Sequence, residues 1–264
     1  MLEIKNVYKT FNAGTVNQKV ALNGLNLTLE DGDFVTVIGG NGAGKSTMLN
    51  AVAGVWPVDM GKILIDGKDI TRLSEHKRAK YIGRVFQDPM MGTAATMGID
   101  ENLALARRRG QPRTLRAGIT AKERAEYREM VKELALGLED RMTSKVGLLS
   151  GGQRQAITLL MATLQKPRLL LLDEPAAALA PKTAAKVRSL SDKIVHEHNL
   201  TTLMITHNMK DAIRYGNRLI MMYDGHIVYD VRGEEKANLK VSDLLARFEK
   251  VSDGEFANDR MLLS

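Results

Sequence analysis

The stretch Gly39-Gly40-Asn41-Gly42-Ala43-Gly44-Lys45-Ser46-Thr47 fits the pattern G-x-x-x-x-G-K-[ST] at each fixed position. Its glycines let the backbone turn tightly, so that N–H groups point inward at a phosphate. The positive end of a helix that begins there adds to the attraction. Lys45 is placed to reach β- and γ-phosphates, Ser46 to ligate Mg²⁺, and Thr47 to touch the α-phosphate. The pattern arises by chance in roughly one chain in a hundred of this length, so a plain glycine-rich turn is the competing reading. The flanks decide. Phe34–Ile38 is a continuous apolar run, as a buried parallel strand is. After the loop the chain reads as a helix stopping at Gly54, with Pro57 just beyond.

Leu169–Leu172 is a second apolar strand, and it ends in Asp173-Glu174. A carboxylate at such a strand end is where nucleotide-hydrolysing enzymes of this kind hold Mg²⁺. Glu174, one residue on, can take the proton of an attacking water. Alone, the pair reads as a strand running into a capping aspartate; downstream of a complete phosphate loop, the catalytic reading prevails. Leu149-Ser150-Gly151-Gly152-Gln153 opens the helical run Arg154–Leu164. Ser150 and Gln153 form a capping box, and Gly151 and Gly152 leave N–H groups uncovered. That is a well-capped helix start, and it is also an anion site. One chain then carries two phosphate-binding surfaces. A head-to-tail homodimer uses both, each chain's Gly39–Thr47 loop meeting its partner's Ser150–Gln153 loop.

Elsewhere the first third reads as strands and hairpins. Leu2–Val7 alternates, Leu25, Leu27 and Leu29 share a face, and Asp66-Gly67 turns a hairpin over Lys62–Ile70. From about Thr93 to Leu148 the pattern is helical, with a capping box at Thr120–Glu123. Val131, Leu134, Ala135 and Leu138 follow helical spacing. Strand and helix then alternate over 169–172, 184–197 and 201–206, which argues for a parallel sheet with helices on its faces. Asp224-Gly225 turns a last hairpin, and the tail after Lys236 reads as helical and charged.

The composition is that of a soluble globular chain: 264 residues, 44% hydrophobic and 26% charged. Without cysteine there is neither a disulfide framework nor a thiolate metal site, which fits a cytosolic location. Met1–Asn6 reads as an amphipathic strand rather than a signal peptide, and no apolar run approaches a membrane span, so a membrane role is expected to be peripheral. The net charge of +7 raises the question of nucleic acid, but the positive residues are spread and Arg107–Arg109 lacks interleaved aromatics. That run is expected to be a solvated helix face, with no nucleic-acid partner.

Together these motifs resemble the nucleotide-binding domain of ABC transporters, over nearly the whole chain. Leu149–Gln153 is similar to that family's signature loop letter for letter, and Gly39–Thr47 and Leu170–Pro175 to its Walker A and Walker B motifs. The resemblance implies an α/β fold of the P-loop NTPase type, with a mostly parallel core sheet, an antiparallel β subdomain and a helical insert. It implies one domain: core 1–92 and 149–235, insert about 93–148, helical tail 236–264. ATP is expected to contact Phe11, Gly39, Asn41, Gly42, Ala43, Gly44, Lys45, Ser46 and Thr47, and, from the other chain, Ser150, Gly151, Gly152 and Gln153. Mg²⁺ falls to Ser46, Gln87 and Asp173, and catalysis to Lys45, Gln87, Glu174 and His207. Gln87, within Val85-Phe86-Gln87-Asp88-Pro89, matches the Q-loop glutamine, which links the core to the insert where membrane subunits dock. His207 matches the switch histidine that contacts the γ-phosphate. Phe11 matches the aromatic that stacks on adenine, a plain core phenylalanine being the other reading.

One position departs from the family pattern. After Walker B the chain reads Ala176-Ala177-Ala178-Leu179-Ala180, with Ala180 where an aspartate normally helps to couple the two half-sites. At a finer level, Gly83–Pro89, Val146–Ala156 and Tyr215–Met222 resemble an importer group whose operons often carry a tryptophan/tyrosine-type lipoprotein. The resemblance implies an ATPase subunit at the cytoplasmic face of the membrane, working with integral permease subunits and indirectly with a solute-binding protein. An exporter subunit and a soluble, non-transport ABC ATPase are the alternatives.

Overall fold

Alternation near the chain start produces an antiparallel sheet. In the computed structural model, which describes residues 1–111 and 118–251, β1 (Leu2–Phe11) pairs with β2 (Lys19–Leu29), Leu2 opposite Leu29. Its other edge takes β4 (Met60–Ile65), Ile4 opposite Ile63, and β5 (Lys68–Asp69) completes the order β2-β1-β4-β5. Leu25, Leu27 and Leu29 are all buried, as their shared face requires. Asp66 and Gly67 both take positive φ, +51° and +72°, the twist a two-residue hairpin needs.

β3 (Phe34–Ile38) is buried along its whole length. It runs parallel to β8 (Thr202–Ile205) on one side and β9 (Arg218–Tyr223) on the other, so both of its faces need apolar side chains. β10 (His226–Arg232) pairs antiparallel with β9. α1 (Lys45–Ala53) ends at Gly54, which is left-handed at φ +87°. α2 (Glu75–Arg78) brings the buried Arg78 to that end, where Nη1 donates to the carbonyls of Ala51 and Val52 at 2.7 and 2.8 Å. A cation on the last carbonyls of a helix complements its dipole. α7 (Met209–Arg214), α8 (Gly233–Ala237) and α9 (Val241–Val251) follow, with Met209, Ala212, Leu244 and Phe248 in one buried cluster. These elements form one compact unit, Met1–Arg78 together with the chain from Asn199.

Ala79–His198 forms a second compact unit. In it β6 (Ile82–Val85) lies parallel to β7 (Leu169–Asp173), Val85 opposite Leu172. Around them are α3 (Ile99–Arg107), α4 (Ala121–Lys132), α5 (Gly151–Thr163) and α6 (Pro181–Glu197). Ile99 and Leu103 of α3, Tyr127 and Val131 of α4, and Ile157 of α5 share a core. The capping box at Thr120 is formed, Oγ1 accepting from Glu123 N at 3.2 Å.

Two expectations are corrected here. The helical spacing at Val131–Leu138 does not make one helix: α4 stops at Lys132, and Ala135 sits at φ +53°. Leu134 and Leu138 still reach the same core, from a turn rather than a helix. Arg107–Arg109 is half-exposed and paired rather than freely solvated. Arg107 pairs with Glu126 at 2.8 Å, Arg108 with Glu123 at 3.0 Å, and Arg109 donates to the Ala162 carbonyl at 3.2 Å. Burial lowers the pKa of Arg109 from its ordinary value. Positions 112–117 of the expected insert and 252–264 of the expected tail lie outside the described residues. Among the described residues no helix is long and apolar enough to cross a membrane.

Candidate active site

The loop between β3 and α1 is shaped by sterics. Gly44 takes the N-cap position of α1 at φ +99°, and a Cβ there would stand 2.5 Å from the Ala21 carbonyl oxygen. Only glycine fits such a conformation against backbone. The Lys45 side chain folds back over the loop, Nζ donating to the carbonyls of Gly39 at 2.6 Å and Gly40 at 2.9 Å. Gly225, in the β9–β10 turn, donates its N–H to the Ala43 carbonyl at 3.1 Å and steadies the loop from outside. Lys45 is 5% exposed, so its charge sits in the loop rather than in bulk water.

Residues 41–47 of the loop line a cavity together with Phe11, Lys19, Ala21 and His207; Gly39, also expected at the phosphates, is not among its lining residues. Phe11 comes from the end of β1, and His207 from just beyond β8. Two participants had no local signal. Lys19 opens β2, and its Nζ lies 2.9 Å from where a Cβ on Gly42 would be, a second cation beside the loop. Trp56, just past α1, meets the Phe11 ring at 5.0 Å between centroids and 81° between planes. Neither belongs to a spacing rule; tertiary structure brings them in.

The remaining candidates lie in the second unit. β7 ends at Asp173, whose Oδ2 is 3.6 Å from Nη2 of Arg84 on β6. Glu174 follows in a left-handed conformation, φ +45°. For a non-glycine residue this is strained backbone, of the kind that concentrates at functional positions. Gln87 lies next to Phe86, whose carbonyl accepts from Nε2 of the buried Gln155 on α5 at 2.9 Å. Ser150 caps α5: its Oγ accepts from Gln153 N at 3.3 Å, and Gln153 Oε1 accepts from Ser150 N at 3.1 Å. With Gln153 N so engaged, Gly151 and Gly152 supply the other first-turn N–H groups. A Cβ on Gly152 would stand 1.9 Å from Thr183 Cγ2, so α6 passes too close for any side chain there.

Ala180 occupies the N-cap of α6, with Pro181 at the first helical position and no side-chain cap bond. Ala180→Asp supplies the missing acceptor, so the variant should gain about 1 kcal/mol and melt roughly 2–4 °C higher. Calorimetry checks this, and an unchanged or lower Tm would contradict the capping argument.

The oxygens of this chain suit Mg²⁺. Among the described residues no group of three or more His, Cys, Asp or Glu side chains could hold a metal alone. Mg²⁺ needs no such cage: it binds through one or two carboxylates and completes its shell with phosphate oxygens and water. The Asp173 carboxylate, Ser46 hydroxyl and Gln87 amide oxygen are donors of that hard type.

Known proteins are similar to this chain over most of its length. The family described as ABC transporter matches residues 22–177. A tyrosine transport ATP-binding protein of Clostridioides difficile is 45% identical over 249 residues, 94% of this chain and 99% of that protein. The sulfate/thiosulfate import ATP-binding protein CysA of Bradyrhizobium diazoefficiens is 37% identical over 232 residues, 86% of this chain and 62% of its own length. Among solved structures, the ATP-binding cassette MJ0796, dimeric in a post-hydrolysis state with ADP and Pi, is similar at TM-score 0.74 and 31% identity, covering 88% of this chain and 98% of that one.

Proposed function

Because the chain belongs to the ABC transporter family, we propose that it is the ATP-hydrolysing subunit that energises import of an aromatic amino acid, tyrosine or tryptophan, across the cytoplasmic membrane. The observation that carries ATP binding is the cavity that gathers Phe11, the Asn41–Thr47 loop and His207 in one place. The names of the similar tyrosine and sulfate transport subunits support import and the cargo class.

In this reading the chain is one ABC ATPase domain, with core 1–92 and 149–235 and an insert over 93–148. Lys45 and the amides of Gly39–Thr47 bind the phosphates, and Phe11 stacks on adenine. The Ser150–Gln153 turn, its own capping box leaving the N–H groups of Gly151 and Gly152 to point outward, binds the γ-phosphate of ATP held by a second copy of the chain. Glu174 takes the proton of the attacking water, while His207 and Gln87 orient the γ-phosphate and that water. Ser46, Gln87 and Asp173 would hold Mg²⁺, which would supply neutralisation of the phosphate charge. The dimer docks on two integral permease subunits at the cytoplasmic face and meets the solute-binding protein only through them. Ala180 leaves the joint between half-sites without an expected carboxylate, so Ala180→Asp should raise the ATPase rate as well as Tm.

The test is reconstitution with the membrane subunits that copurify with the chain, in vesicles loaded with ATP. Labelled tyrosine or tryptophan should accumulate, and permease should stimulate hydrolysis. A hydrolysis rate indifferent to permease would contradict a transport role.

A further inference from the structure

The Phe11 ring is held by a set of contacts that no phosphate-binding motif contains. Trp56 meets it in a T-shaped arrangement, centroids 5.0 Å apart and planes at 81°. The Lys9 ammonium stands 5.4 Å from the ring centroid, and Asp59 fixes that ammonium at 3.1 Å. Asp59 also accepts from the N–H of Thr10, at 2.6 Å, and donates its own N–H to the Tyr8 carbonyl at 2.9 Å, so the end of β1 is tied to the segment after α1. Trp56 itself follows the α1 C-cap, where Gly54 and Val55 both donate to the Asn50 carbonyl at 3.0 Å. α1 begins at Lys45. The phosphate lysine therefore stands at the start of α1, and the tryptophan that braces Phe11 stands two residues past its C-cap.

We propose that Trp56 is a positioning residue for nucleotide recognition: it holds Phe11 in the orientation in which its ring stacks on the adenine base. This rests on the reading of Phe11 as the adenine platform. A half-buried ring that had to be ordered on binding would lose part of its stacking free energy to that ordering. An aromatic pair in edge-to-face contact orders it beforehand. Trp56 is not among the residues that line the cavity, so its effect is expected to be confined to the increment in affinity that the base contributes. It is also the single tryptophan of the chain, so its emission reports the state of the platform.

The experiment compares the affinity for ATP with that for inorganic tripolyphosphate, both with Mg²⁺, by calorimetry on the full chain. Wild type should bind ATP more tightly, and tryptophan emission should change with ATP and not with tripolyphosphate. Trp56→Leu should shrink the ATP-over-tripolyphosphate ratio about 3–10-fold while leaving tripolyphosphate affinity unchanged, and Trp56→Phe should restore most of the ratio. The unchanged tripolyphosphate affinity shows that the variant is folded at the loop. A ratio that survives Trp56→Leu but collapses in Phe11→Ala overturns the proposal and leaves the adenine platform standing. A ratio that survives Phe11→Ala overturns the platform itself. Equal losses for both ligands in Trp56→Leu make the residue merely structural and also overturn the proposal.

Discussion

Glu174→Gln should lose ATP turnover by about 10²–10⁴-fold while keeping ATP affinity within a few-fold of wild type. The amide matches the carboxylate in shape but cannot take the proton of the attacking water. It also removes one negative charge near a triphosphate, which favours the closed, ATP-bound dimer. Backbone strain does not confound the result, because Gln at φ +45° is strained no more than Glu there. Steady-state hydrolysis gives the first half, and size-exclusion chromatography with and without ATP gives the second. Retained turnover would remove Glu174 from the role of base. Loss of ATP binding would show that its carboxylate serves the nucleotide and not the water.

Lys45→Met should weaken ATP binding at least about 100-fold. Charge-assisted hydrogen bonds are each worth about 1.5–3 kcal/mol, and this ammonium is placed to serve two phosphate groups. The same variant strips the Gly39 and Gly40 carbonyls of the donor they share, so the loop should also lose its set shape. Lys45→Arg should fail as well, because a planar guanidinium cannot reproduce a compact ammonium held at 2.6 and 2.9 Å from two successive carbonyls. Nucleotide titration followed by calorimetry measures both variants; affinity near wild type in either would contradict the assigned part.

What was legible in the sequence is what local geometry controls. The Gly39–Thr47 loop, the capping boxes at Thr120 and Ser150, the Asp66-Gly67 turn and the buried run Phe34–Ile38 each follow from a few neighbouring residues, and each is formed. Termination of α4 was not legible, because leucines at helical spacing are buried alike in a helix or in a turn that reaches the same core; the left-handed Ala135 carries no sequence mark. Arg107–Arg109 misled because its acidic and carbonyl partners, Glu123, Glu126 and Ala162, lie far along the chain. The site divides in the same way. Its phosphate-facing residues sit in contiguous motifs, whereas Lys19 and Trp56 enter from β2 and from beyond α1 with no pattern to announce them. Ala180 is the converse case: a missing carboxylate visible in the sequence, whose structural counterpart is an uncapped α6.

The central claim is that each chain supplies half of each of two ATP sites. Ser150→Asp tests it cleanly, since aspartate is as good an N-cap as serine and should keep α5 intact while placing a negative charge at the anion site. With Glu174→Gln in both chains to prevent turnover, Lys45→Met and Ser150→Asp chains should each fail alone to form an ATP-bound dimer. Mixed, they should form a heterodimer retaining one ATP, because the intact loop of the Ser150→Asp chain meets the intact Ser150 loop of the Lys45→Met chain. No ATP-bound dimer in the mixture, or an ATP-bound dimer formed by Ser150→Asp alone, would contradict the shared site.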